Sequence, residues 1–158
     1  MNAEQPPEFA PQLAELARRV ELLEIRPVLF FARSTEFASQ ADSALSLSVK
    51  HDLTAKQEAN GQFTVSANFL VGATPSVNSK EELFEVRYSV VSRYQVPSEH
   101  SFAQEVLDLF AKTNGMVHLW PYLRAFVANA CAQLGLGPIT LPPFRVRTQP
   151  PRETTESN

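Results

Sequence analysis

Apolar and polar residues alternate in three stretches of the chain, and each stretch predicts a strand with one buried and one wet face. In ALSLSVKHDL, Leu45, Leu47, Val49, His51 and Leu53 share a face against Ser46, Ser48, Lys50 and Asp52. In FTVSANFLV, Phe63, Val65, Ala67, Phe69 and Val71 oppose Thr64, Ser66 and Asn68. In LFEVRYSVVSRYQV, Phe84, Val86, Tyr88, Val90, Tyr94 and Val96 oppose Glu85, Arg87, Ser89 and Arg93. Asn60-Gly61 reads as a hairpin turn and GATPSVNSKEE as a longer loop.

The period differs on either side of these strands. Leu13, Leu16, Ala17 and Val20 recur at helical spacing, with Pro11 near the start, where its missing N–H costs nothing. A strand is expected over about residues 22–33, with Leu23, Ile25, Leu29 and Phe31 on one face. Its other face mixes Glu24 and Arg26 with Val28 and Phe30. Pro27 removes a ladder donor, which places this strand at a sheet edge. Further along, Ser101 and Gln104 suggest a capping box ahead of Phe102, Val106, Leu109 and Phe110, and Asn114-Gly115 suggests a stop. Pro121 then predicts the opening of a second helix with Leu123, Phe126, Val127, Ala130, Cys131 and Leu134 on one stripe. Gly135 and Gly137-Pro138 should end it. Strands grouped together with helices after them predict an α+β fold. The expected architecture is an antiparallel sheet of about four strands, two C-terminal helices packed on one face, and an N-terminal helix.

Composition adds boundaries to this picture. With 158 residues, 44% hydrophobic and 20% charged, the chain has the make-up of one globular domain. That domain is expected over residues 9–146. Residues 1–8 and 147–158 read as flexible ends, since RTQPPRETTESN contains no aliphatic or aromatic residue. The formal net charge of −3 and the lack of a Lys/Arg cluster argue against a nucleic-acid partner. A lone Cys131 rules out an intrachain disulfide. The start lacks the n- and h-regions of a secretory signal, and no apolar run approaches the roughly 18–20 residues of a membrane span. A reduced, cytoplasmic setting is expected.

Catalytic chemistry is not legible. His51, His100 and His118 are far apart, and none has a ligand-type residue at helical i+4 spacing, so no metal and no cofactor is expected. Gly135-Leu136-Gly137-Pro138 follows a helix rather than a strand, and it reads as a helix end instead of a phosphate loop. Cys131 falls on an apolar stripe, which predicts a buried, inert thiol. Glu81, Glu82 and Glu85 read as solvated charge. These patterns do not point to an enzyme. What stands out is surplus apolar surface: Val28 and Phe30 on the edge strand, Trp120 and Tyr122 around Pro121, and Phe144 after a Pro-Pro pair. Such groups bury in an oligomer or serve a binding groove.

The stretch LWPYLRAFVANACAQLGLGPITLPPF, residues 119–144, resembles the C-terminal part of the SecB family of export chaperones. Trp120-Pro121-Tyr122 with Arg124 matches the aromatic-Pro-Tyr-x-Arg opening of that family's second helix, and residues 136–143 resemble its exit. The resemblance covers about residues 13–146. The N-terminal helix leading into RVELLEIRPVLFF is closer to SecB-like chaperones associated with toxin–antitoxin systems. The resemblance implies a homotetramer, a dimer of dimers, that holds non-native polypeptide in apolar grooves without ATP. Its clients would be exported preproteins or a dedicated antitoxin. It implies a groove between sheet edge, crossover segment and second helix, at Val28, Phe30, Trp120, Tyr122, Phe126, Leu141 and Phe144. The chain departs from the general export chaperone in its wet sheet face, which carries Ser46, Ser48, Lys50, Thr64, Ser66, Arg87 and Arg93 where that family is acidic. This puts engagement of the translocase motor SecA in doubt. The alternative function is an oligomeric adaptor or structural protein of the same fold that binds one folded partner.

Overall fold

The computed structural model describes residues 9–35, 45–75, 82–136 and 139–144. Both expected flexible ends, the segment between the first two strands, Glu81 and Gly137-Pro138 lie outside the described residues. Helix α1 (Ala10–Arg19) buries Leu13 and Leu16. Four strands follow: β1 (Glu21–Ser34), β2 (Ser46–Gln57), β3 (Gln62–Thr74) and β4 (Phe84–Gln95). They form one antiparallel sheet in the order β1-β4-β3-β2. Helix α2 (Gln104–Phe110) runs through a π-helical turn (Ala111–Gly115) into α3 (Met116–Gln133). The fold is α+β, as the alternation and its switch to helical period predict.

Strands β3 and β4 place their apolar faces as expected, whereas the face expected to be buried on β2 buries only Leu53: Leu45 and Val49 are half-buried, and Leu47 and His51 are exposed. Phe63, Val65, Val71, Val86, Val90 and Tyr94 are buried, and they meet Val106, Phe110, Leu119 and Leu123 from the helices. Phe63 stacks on Tyr94 at 5.0 Å between ring centres, and Phe110 meets both rings edge-on at 5.4 and 5.2 Å. Asn60 (φ 59°) and Gly61 (φ 72°) both adopt left-handed backbone, the geometry of a tight hairpin turn. A Cβ on Gly61 would lie 2.7 Å from the Val96 carbonyl, so glycine is required there.

Four sequence expectations are corrected. Asn114-Gly115 does not stop the helix: Gly115 is helical (φ −57°), and the Met116 N–H reaches back five residues to the Ala111 carbonyl. Gly115 is buried, and a Cβ there would meet the Val65 side chain at 3.4 Å, so glycine allows helix and sheet to approach. Pro121 does not open a helix but lies inside α3. The carbonyl it leaves without an N–H belongs to Val117, which is exposed, so water can satisfy it. Ser101 and Gln104 form no capping box: the N-cap of α2 is Ala103, without a side-chain cap. Gln104 instead donates to the Ala55 carbonyl (2.9 Å) and to Asp108 Oδ1 (3.0 Å), and Asp108 accepts the Ala55 N–H (3.3 Å). The free edge of β2 is therefore partly covered by α2.

The fourth correction concerns β1. Register shifts at Leu22/Glu24 and Pro27/Leu29 interrupt its alternation. Phe30 pairs with Tyr88 and Pro27 with Val90, on the helix side. Leu29 and Phe31 pair with Ser89 and Arg87, on the far side. The single face expected for Leu23, Ile25, Leu29 and Phe31 is thus split by bulges, which insert an unpaired residue and reverse the phase. Pro27 does mark an edge strand: among the described residues β1 pairs only with β4.

Candidate functional site

Edge strands are normally guarded along their length by charge or proline, and β1 has Glu24, Arg26 and Pro27 in its first half but none from Val28 to Ala32. It exposes Leu22, Leu23, Val28, Leu29, Phe30 and Phe31, with Val28 at 62% and Phe30 at 59% exposure. On its helix side, Phe30 lies 4.9 Å from Phe126 of α3 and 5.6 Å from Tyr88, and Tyr88 and Phe126 stack at 4.9 Å. Tyr122, exposed, is one helical turn from Phe126 on the same flank. Beside these rings opens a cavity of about 260 Å³, floored by Phe30, Phe126 and Ala130 and rimmed by Asn129 and Gln133. Burial pushes the Tyr88 hydroxyl up from its ordinary pKa, with the Tyr122 hydroxyl adding to the shift. The cavity offers aromatic surface, two amides and no charge.

The seven residues expected to line one groove fall into two groups. Phe30, Tyr122 and Phe126 gather around the β1 flank of α3, and Val28 stands exposed on the same strand at the bulge, outside the cavity lining. Trp120, Leu141 and Phe144 gather elsewhere: Trp120 is six residues before Phe126, about 120° away around the helix. Trp120 is 9% exposed and Leu141 0%, so neither is open surface. Trp120 Nε1 donates to the Pro142 carbonyl (2.8 Å), and its ring lies 5.5 Å from Phe144. The family resemblance grouped all seven as one groove; helical geometry turns Trp120 away from Tyr122 and Phe126.

Leu29 and Phe31 were missed as exposed apolar surface, since only the bulge puts them on the far face. There the Arg87 guanidinium lies over the Phe31 ring at 5.4 Å. Glu85 also departs from expectation: it is 5% exposed rather than solvated. Its carboxylate accepts hydrogen bonds from Arg33 Nη2 (2.7 Å) and from Arg87 Nε. The Arg33 bond, then that from Arg87, holds its pKa below the usual carboxylate range despite the opposing effect of desolvation.

The other titratable groups with shifted pKa values sit apart from this cluster. The Tyr94 hydroxyl and His118 Nδ1 share a hydrogen bond of 3.1 Å, and burial lowers the His118 pKa, leaving a neutral imidazole packed against Phe110. Among the described residues, no three His, Cys, Asp or Glu side chains converge as a metal site, and no helix is long and apolar enough to cross a membrane. Cys131 is buried, and burial pushes its thiol pKa up. Native protein should therefore react with a thiol reagent far more slowly than denatured protein. Equal rates would contradict this placement.

No protein-family model matches the chain, and no curated protein matches it. Among solved structures, the fold is similar to the Mycobacterium tuberculosis SecB-like chaperone Rv1957, solved in complex with a ChAD peptide from the Rv1956 HigA1 antitoxin. The TM-score is 0.73 at 20% sequence identity, over 88% of this chain and 99% of that one. A protein of unknown function from Streptococcus agalactiae matches at TM-score 0.44 and 11% identity, over 78% of this chain and 96% of that one. The chain has a SecB-like fold.

Proposed function

We propose that the protein is an ATP-independent chaperone that holds non-native polypeptide in the apolar groove between β1 and α3. The observation that carries this reading is the uncovered cluster of Phe30, Phe126 and Tyr122 beside the 260 Å³ cavity, on an edge strand with no charged guard between Pro27 and Ala32. Apolar contacts are non-directional, so such a groove accepts many sequences and needs no nucleotide. The peptide-bound state of the Rv1957 chaperone supports a polypeptide client, of which an antitoxin or an exported preprotein are the two kinds proposed. The open backbone edge of β1, apolar on both faces, fits pairing with a second copy. This would make dimers and, by a further contact, tetramers. Light scattering should then report a multiple of 17.6 kDa at micromolar concentration; a monomer would remove the self-pairing part of the proposal.

The functional test is a chemically unfolded, aggregation-prone client diluted into buffer without ATP. Near-equimolar protein should suppress its light scattering, and so should it for several unrelated clients. Suppression of none would overturn the general chaperone reading and favour an adaptor with one folded partner.

A further inference from the structure

The opposite flank of α3 already holds a polypeptide segment, its own. Past Gly135 (φ 71°), which ends the helix in left-handed backbone, the chain returns along α3, and residues 139–144 lie across it. Among the described residues no backbone–backbone hydrogen bond ties this strap down. Two side chains hold it instead. Arg124 Nε donates to the Leu141 carbonyl (2.7 Å) and Trp120 Nε1 to the Pro142 carbonyl (2.8 Å). Trp120 and Arg124 are one helical turn apart, so their donors meet successive carbonyls of an extended chain running antiparallel to the helix. Of the strap's side chains only Leu141 is fully buried; Ile139 and Phe144 are half-buried, the Phe144 ring 5.5 Å from that of Trp120, while Thr140, Pro142 and Pro143 are exposed.

This is recognition of a generic kind. Both anchoring bonds are accepted by segment carbonyls, which every residue including proline possesses, and none needs a segment N–H. The demands on sequence are an aliphatic side chain at the position of Leu141 and apolar groups at the half-buried positions of Ile139 and Phe144. A β-ladder, by contrast, loses a bond at each proline.

We propose that the Trp120–Arg124 flank of α3 is a second polypeptide-binding site, occupied in cis by residues 139–144 and open in trans to extended apolar segments, prolines included. It extends the chaperone reading and rests on it only in taking the incoming segment to come from a client. The tether gives the strap an effective concentration on the order of millimolar, so a free segment competes poorly until the strap is loosened.

Trp120 is the only tryptophan in the chain and reports the site directly. In Leu141→Asp, whose aspartate opposes burial, Trp120 emission should shift to longer wavelength as the strap leaves. Adding the capped peptide Ile-Thr-Leu-Pro-Pro-Phe should reverse the shift saturably. Replacing the peptide's leucine by serine, or adding Arg124→Met to the protein, should weaken that binding by about tenfold, the scale of one buried aliphatic group or one charge-assisted bond. If circular dichroism shows Leu141→Asp unfolded, Phe144→Ser, at a half-buried position, is measured in the same way. Unshifted emission in the folded variant, or equal reversal by the serine peptide, would overturn the proposal. Such a failure leaves client suppression at Phe30 and Phe126 intact, because those rings line the other flank. Loss of suppression with an intact peptide response would instead sink the chaperone reading alone.

Discussion

Replacing Phe30 by aspartate should weaken client holding by about 10- to 100-fold while leaving the fold in place. The side chain is more than half exposed, and its ring contacts are with Phe126 and Tyr88, which keep each other's stacking without it. Losing one apolar anchor from a bound complex costs about 1.5–3 kcal/mol, and each 1.4 kcal/mol is tenfold in affinity. A charge in a groove without cations adds desolvation against every apolar client. The amount of protein needed for half-suppression of client aggregation reads the effect, with far-UV circular dichroism as the folding control. An unchanged requirement would mean that clients bind elsewhere.

Trp120→Ser should behave in the opposite way. Trp120 is buried, packs on Phe144 and donates to the Pro142 carbonyl, so its loss leaves a cavity and removes one of the strap's two anchoring bonds. Large aromatic deletions of this kind cost about 3–5 kcal/mol, a large part of the 5–15 kcal/mol that holds a typical domain folded. The denaturant midpoint should fall accordingly. A variant as stable as the parent, yet defective in holding clients, would return Trp120 to the open groove surface that the sequence suggested.

The contrast between these two residues shows what was legible in the chain. Strands β2, β3 and β4 were readable because their faces alternate without a break, and the side chain period of two leaves one register that buries Phe63, Val65 and Tyr94. β1 was placed at the edge by Pro27, but its faces were not readable, since a bulge is a property of pairing and leaves no compositional mark. The dipeptide Asn-Gly occurs at 60–61 and 114–115 and adopts two different backbones. At Gly61 a carbonyl excludes any Cβ and φ is positive; at Gly115 the same absence of a Cβ lets a π turn pack against Val65. Tertiary contact decides between them, and no local signal does. The candidate groove was half readable for a related reason. Aromatic residues announced themselves by type, but which of them the strap covers depends on where residues 139–144 return.

The central claim, that non-native polypeptide occupies the β1–α3 groove, is tested most directly by site-specific photo-crosslinking. A photoreactive residue at Gln133, on the rim of the cavity, should capture an unfolded client and release it from capture when Phe30 is changed to aspartate. The same residue at Thr64, on the opposite face of the sheet, should capture little. Client crosslinked from Thr64 as strongly as from Gln133, or from Gln133 regardless of Phe30, would contradict the account.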